Sequence, residues 1–307
     1  MIIKNIKAKD GKNLYTYCWD KVENPKAVIQ IFHGMAEHSG RYEKFSEYLN
    51  KHGYIVYASD HRGHGKTAET IEELGYIGED GFNTIVLDKH LMFQQIKDKY
   101  PKLPIFLFGH SFGSFLAQEY IIRYGNELKG VILSGSAAEK GFKVWGGRLV
   151  SSIERQIFGE KKKGRIMNAL TLETYNKRFE TDGSQLSWIS SDLNEVRKYE
   201  EDPYCGKVFS VGFFYYLMKG LSRLYKKERL VLIPTNLPIY IISGEDDPVG
   251  GYGKLVKKLF KIYKNIGIKD VDIKLYLGFR HEIINEKNKI EVYEDILKWL
   301  NHILVKK

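Results

Sequence analysis

Residues 104–115 read PIFLFGHSFGSF. The apolar run Pro104–Phe108 suits a strand buried on both faces, and from Phe112 to Tyr124 apolar residues return at helical spacing. Between them lies Gly109-His110-Ser111-Phe112-Gly113, a G-x-S-x-G pattern set where a strand must turn sharply into a helix. Small residues two before and two after the serine relieve the crowding of such a turn. Ser111 is thereby expected at a helix N-terminus, where unpaired N–H groups and the dipole favour developing negative charge.

Working outward, short β-branched or aromatic runs alternate with longer periodic segments. Strands are expected at Leu14–Trp19, Ala27–Phe32, Tyr54–Ser59, Ile105–Phe108, Val131–Leu133, Ile239–Ile242 and Ile273–Leu277, with Ile2–Ala8 as an edge strand. Helices are expected at Tyr42–Lys51, Asn83–Lys99, Phe112–Tyr124, Gly253–Tyr263 and Lys289–Leu304. The class is α/β: a mostly parallel sheet flanked by helices. The alternation stops between about Ala138 and Leu232, which reads as several helices without a strand. That stretch holds 18 basic against 12 acidic residues, together with Trp145, Trp188 and the run Phe213–Met218. We expect a core of residues 1–137 and 233–307, with residues 138–232 inserted as a helical cap over one end of the sheet.

A serine hydroxyl needs a base, and the base needs a carboxylate to fix its tautomer. With a strand-to-helix elbow the chain order is Ser…Asp…His. His281, in a loop after the last expected strand, suits the base, because sites of open parallel sheets gather at the strands' carboxyl ends. His52 and His90 read as helix-surface positions, His302 lies in the terminal helix and His110 inside the elbow. The acid is expected in Gly244-Glu245-Asp246-Asp247-Pro248-Val249, where Asp247 is preferred because Pro248 holds its backbone extended, with Asp246 second. The oxyanion donors are expected to be the backbone amides of Phe112 and Met35, Gly34 letting the chain turn so that the second points inward.

Other patterns carry less. Gly65-Lys66-Thr67 resembles the end of a phosphate loop, but the required first glycine is Asp60. His33, Glu37, His38, His61 and His64 do not match H-x-x-E-H or H-E-x-x-H spacing, so neither metal nor cofactor is expected. Across 307 residues, 48 basic and 38 acidic side chains give a net charge of +10. The lysines are scattered and no RNA-binding or zinc-finger signature accompanies them, so a solvated basic surface is expected rather than a nucleic-acid partner. Two distant cysteines, no apolar run of membrane length and no secretory leader point to a cytoplasmic chain.

Taken together, His33–Tyr42 (HGMAEHSGRY), Asp60–Gly65 (DHRGHG), Gly109–Gly113, Gly244–Val249, Arg280-His281-Glu282 and Asp202–Cys205 (DPYC) resemble the monoacylglycerol lipase and lysophospholipase-like branch of the α/β-hydrolases. The resemblance covers nearly the whole chain. It implies the α/β-hydrolase fold, Ser111 as nucleophile, Asp247 as acid, His281 as base, the amides of Met35 and Phe112 as oxyanion hole, and a cap that forms an acyl-chain tunnel. Met35 and Phe112 are larger than that branch usually carries at their positions, so acyl preference does not transfer with the motif. The activity implied is cofactor-independent hydrolysis of a single-acyl lipid, monoacylglycerol ahead of lysophospholipid, the basic cap touching lipid surfaces. Two alternatives remain: a serine aminopeptidase or amidase using Glu200, Glu201 or Asp202 to hold a substrate ammonium, and a non-catalytic ligand receptor on the same fold.

Overall fold

The computed structural model describes residues 1–306. Eight strands, β1 (Ile2–Lys7), β2 (Asn13–Trp19), β3 (Ala27–Phe32), β4 (Tyr54–Ser59), β5 (Ile105–His110), β6 (Gly130–Ser134), β7 (Ile239–Gly244) and β8 (Val271–Tyr276), form one sheet in the order β1-β2-β4-β3-β5-β6-β7-β8. From β4 through β8 every neighbouring pair is parallel. Since β2 pairs antiparallel with both β1 and β4, it alone runs against the rest. Strands β3 to β7 are buried at every position, which is why they read as unbroken apolar runs rather than alternating ones.

Helices cover both faces. On one face, α2 (Gly81–Lys99), α3 (Phe112–Tyr124) and α9 (Lys254–Asn265) bury Phe93, Leu116 and Leu259 in a large cluster with the sheet. On the other, α1 (Glu43–Lys51) and α10 (Lys289–Val305) bury Phe45, Leu49, Ile296 and Leu300. The last strand begins two residues before the expected start and ends ahead of Leu277, which is 84% exposed. The left-handed turn at Gly278 (φ 72°) takes the chain out of the sheet there.

Between β6 and β7 run five α-helices, α4 (Phe142–Phe158), α5 (Arg165–Leu170), α6 (Leu193–Glu201), α7 (Val211–Leu224) and α8 (Lys227–Leu230), with two short 3-10 helices, Leu172–Arg178 and Glu180–Asp182, between α5 and α6. The only pairing in this stretch among the described residues is an isolated bridge, Lys163 to Ser210. Helix α7 joins the main core: Phe213, Phe214 and Leu221 share the cluster of α2 and α3. A Cβ at Gly220 would meet the Phe82 ring at 2.6 Å, so the missing side chain lets that ring of α2 pack directly on the α7 backbone. Glu119 on α3 ties the far end down, accepting both guanidinium nitrogens of Arg229 at 2.8 and 2.9 Å.

Candidate active site

The elbow is strained as its sequence predicts. Ser111 sits at φ 50°, ψ −120°, ahead of the first turn of α3. Positive φ costs a non-glycine residue on the order of 1–3 kcal/mol, which the surrounding packing must hold in place. A Cβ at Gly113 would overlap the carbonyl oxygens of Phe32 and His33, and one at Gly109 would lie 2.7 Å from the Gly113 oxygen. Helical hydrogen bonding starts with Ser114 and Phe115, whose N–H groups donate to the Ser111 carbonyl, so the amides of Phe112 and Gly113 precede it.

His281 lies beyond the carboxyl end of β8 and is buried. Its Nδ1–H donates to Asp247 Oδ1 at 3.0 Å. Asp247 is fully buried, with Oδ1 also accepting the Val249 N–H at 2.8 Å and Oδ2 accepting the Ser243 hydroxyl at 2.9 Å. Burial opposes ionisation of this carboxyl, but the imidazole and these donors overcome it and hold the group below the usual aspartate range. Burial likewise opposes the charged imidazole, and Asp247 outweighs it, so His281 titrates above the ordinary histidine value. The neighbouring acid, Asp246, is partly exposed and faces Arg178 at 3.8 Å. Of the two expected candidates, only Asp247 meets the imidazole.

Ser111, Met35, Phe112 and His281 line one cavity of about 980 Å³. Its wall is mainly apolar, drawing Phe115 and Leu255 from the core and Val144, Val150, Met167, Leu217 and Met218 from the segment between β6 and β7. That segment also braces His281, for the Trp188 ring lies 5.2 Å from the His281 ring and the Trp188 carbonyl accepts the His281 backbone N–H. The loop carrying Met35 turns at Ala36 (φ 56°), not at Gly34 as expected. Gly34 is needed instead for closeness: a Cβ there would come within 2.7 Å of Glu37 Oε1, which accepts the Gly34 N–H at 2.5 Å.

Glu200, Glu201 and Asp202, the expected ammonium holders, are not in the cavity wall. Glu200 accepts the Ser184 hydroxyl, and Asp202 accepts the His38 Nε2–H at 2.9 Å. With Cys205 these two residues bring three ligand-type atoms within 4.8 Å of one another. Both nitrogens of His38 are already engaged, however, since Nδ1 accepts the Gly40 N–H. His33, His61 and His64 do cluster, with the first two rings stacked at 3.8 Å. The His61 N–H donates to His33 Nε2 and His61 Nε2 faces the His33 carbonyl, while burial drives all three well below the ordinary histidine range. They are neutral packing groups. His90, expected on a helix surface, is half-buried with its ring stacked on Tyr124 at 3.7 Å. The roles of Ser243, the Val249 amide and Trp188 had no signal in the sequence, because each depends on which loops meet.

Residues 23–288 match the family model described as serine aminopeptidase, S33. The chain is 28% identical over 289 residues to a monoacylglycerol lipase of Mycolicibacterium smegmatis, covering 92% of this chain and 90% of that one. It is 26% identical to the monoglyceride lipase of Homo sapiens, covering 95% and 88%. The crystal structure of a thermostable carboxyl esterase from Bacillus coagulans, in complex with glycerol, superposes with a TM-score of 0.91 at 30% identity over 99% of both chains.

Proposed function

The chain belongs to the serine aminopeptidase S33 family of α/β-hydrolases, and from that premise we propose that Ser111, His281 and Asp247 hydrolyse the ester of a single-acyl lipid, monoacylglycerol first. One observation carries the reading: His281, in the loop after β8 and hydrogen-bonded to Asp247 in the loop after β7, and Ser111, at the end of β5, line the same largely apolar cavity. With Nδ1 committed to Asp247, Nε2 takes the Ser111 proton as the oxygen attacks the acyl carbonyl. The Phe112 and Met35 amides receive the oxyanion, each such donor being worth about 10²–10³ in turnover. His281 returns the proton to the glycerol oxygen, leaving an acyl-enzyme. Water, deprotonated by the same nitrogen, then releases the fatty acid and restores Ser111.

An apolar tunnel favours a long acyl group, at about 0.8 kcal/mol per buried CH₂. The aminopeptidase alternative loses its support with Glu200 and Asp202 engaged elsewhere and none of Glu200, Glu201 and Asp202 in the cavity wall. A receptor without catalysis has no need of a buried acid held by three donors. Residues 138–232 act in this reading as the cap. Along α4, Phe142, Trp145, Leu149, Ile153 and Ile157 are exposed on one side, Phe142 by 81% and Ile157 by 66%. Lys140, Lys143, Arg148 and Arg155 accompany them. Such a face suits shallow contact with an anionic lipid surface. No helix among the described residues is long and apolar enough to cross a membrane. Cys18 and Cys205 are both buried free thiols, which suits a reducing cytoplasm.

The test is a panel of monoacylglycerols of graded chain length, lysophospholipids and aminoacyl amides, assayed with the purified chain. Monoacylglycerol is expected to be cleaved fastest. Faster amide cleavage would replace this reading with the peptidase, and faster lysophospholipid cleavage would move the head-group assignment.

A further inference from the structure

Glu37 and Glu282 both line the cavity, yet neither is free to meet a ligand, because one guanidinium joins them. Arg41 Nη1 and Nη2 donate to the two oxygens of Glu282 at 2.5 and 2.6 Å, and Nη1 also donates to Glu37 Oε2 at 2.8 Å. The other oxygen of Glu37 accepts the Gly34 N–H at 2.5 Å and the Tyr42 hydroxyl at 2.9 Å. Glu282 directly follows His281, and its own N–H donates to the Ile189 carbonyl at 2.7 Å. An unbroken run of charge-assisted contacts therefore spans from the backbone of the Met35 loop to that of the His281 loop. All three side chains are nearly buried, at 11%, 3% and 6% exposure for Arg41, Glu37 and Glu282.

We propose that Arg41 is a positioning residue, tying the loop that presents the Met35 amide to the loop that carries His281 and so fixing the spacing of oxyanion donor and base. The proposal rests on the catalytic reading of Ser111 and His281. A fork with two parallel bonds holds orientation as well as distance, which a lysine ammonium cannot do. The Tyr199 ring, 4.8 Å from the guanidinium, closes the remaining side, and the Tyr199 hydroxyl donates to the Ala36 carbonyl at 2.7 Å. The Met35 loop is thus clamped on two sides around its strained residue, Ala36.

Charge supports the same role. Burial opposes ionisation of both carboxyls; Arg41 overcomes it at Glu282, which is held below the usual range, while Glu37 is pushed up. The charged or titratable groups around His281 are Asp247, Glu282, Glu37 and Arg41, with the His110 ring 4.8 Å away and kept neutral by burial at about 3. Removing Glu282's charge should therefore lower the imidazole's titration.

Arg41→Lys, Arg41→Met and Glu282→Gln are compared with wild type on p-nitrophenyl butyrate, a small ester without a polyol, recording kcat, KM, the pH profile of kcat/KM and the melting temperature. A misplacement of about 1 Å costs up to about 10²-fold. Arg41→Lys is expected to lose about that much in kcat with KM little changed, and Glu282→Gln about tenfold. The acidic limb should move down in Glu282→Gln. Glu282→Gln keeps hydrogen-bonding capacity, so the role can be measured even where an Arg41 variant fails to fold. Unchanged kcat, or a rise in KM alone, overturns the positioning role. A kcat loss that follows melting temperature while the acidic limb stays put overturns it too, in favour of mere stability. A wild type that neither turns over the ester nor reacts with a fluorophosphonate overturns the catalytic reading, and the role of Arg41 with it.

Discussion

Replacing Asp247 by Asn removes one buried charge while keeping the shape, and the local hydrogen bonds set the outcome. Oδ1 faces two donors, the His281 Nδ1–H and the Val249 N–H, whereas Oδ2 faces only the Ser243 hydroxyl. A backbone N–H cannot reverse its role, but a hydroxyl can rotate to accept. The asparagine oxygen must therefore take the Oδ1 position, with its NH₂ donating to Ser243. His281 Nδ1–H keeps an acceptor, so the imidazole keeps the productive tautomer. Where this substitution forces the wrong tautomer in a serine protease, turnover falls by about 10⁴. Here only the charge is lost: a unit charge at about 4 Å is worth about 4 kcal/mol at an effective dielectric constant of 20. At 1.36 kcal/mol per tenfold, kcat should drop by at most about 10³. The acidic limb of kcat/KM should also move down, because burial then acts on His281 without Asp247 to oppose it. Steady-state kinetics from about pH 5 to 9 on a soluble ester measures both quantities. A loss of 10⁴ or more, or an acidic limb that moves up, refutes the retained tautomer; a larger loss for Asp246→Asn refutes the choice of acid.

Ser111→Ala should lower kcat by roughly 10⁶ and abolish fluorophosphonate labelling, judged by the cost of a nucleophile in a comparable triad. Gly113→Ala should disable the enzyme through the backbone alone, since its Cβ has no room against the Phe32 and His33 carbonyls. Labelling of Ser111 at the wild-type rate in that variant would show that the elbow can shift. In wild type, kcat/KM should fall as pH drops through a value above the ordinary 6.5, because the raised His281 must be neutral to take the serine proton. Buried Lys89 donates to the Ser59 carbonyl and hydroxyl, and burial lowers it to about 7. Unfolded, a lysine titrates near about 10.4, so between these values the unfolded chain holds the extra proton and stability rises with pH. Lys89→Met should flatten that rise in urea denaturation between pH 6 and 10; an unchanged slope would remove Lys89 from the account.

The sequence by itself determined the elements whose signal is local. The buried strands, the periodic helices and the elbow at Gly109–Gly113 all follow from side-chain patterning and from the lack of room for a Cβ. The order of Ser111, Asp247 and His281 was legible too, because strand ends and short acidic or histidine-bearing loops mark themselves along the chain. What only the tertiary structure decided is which groups face each other across long stretches of sequence. Nothing local says that Trp188 backs His281, that Asp202 is spent on His38, or that the positive φ falls on Ala36 rather than Gly34. Arg41 and Glu282 stood in recognisable blocks 241 positions apart, yet only folding brings the guanidinium to the carboxylate. Periodicity reports burial, which each residue carries in its own chemistry, whereas pairing of charges and hydrogen bonds is a property of two loops at once.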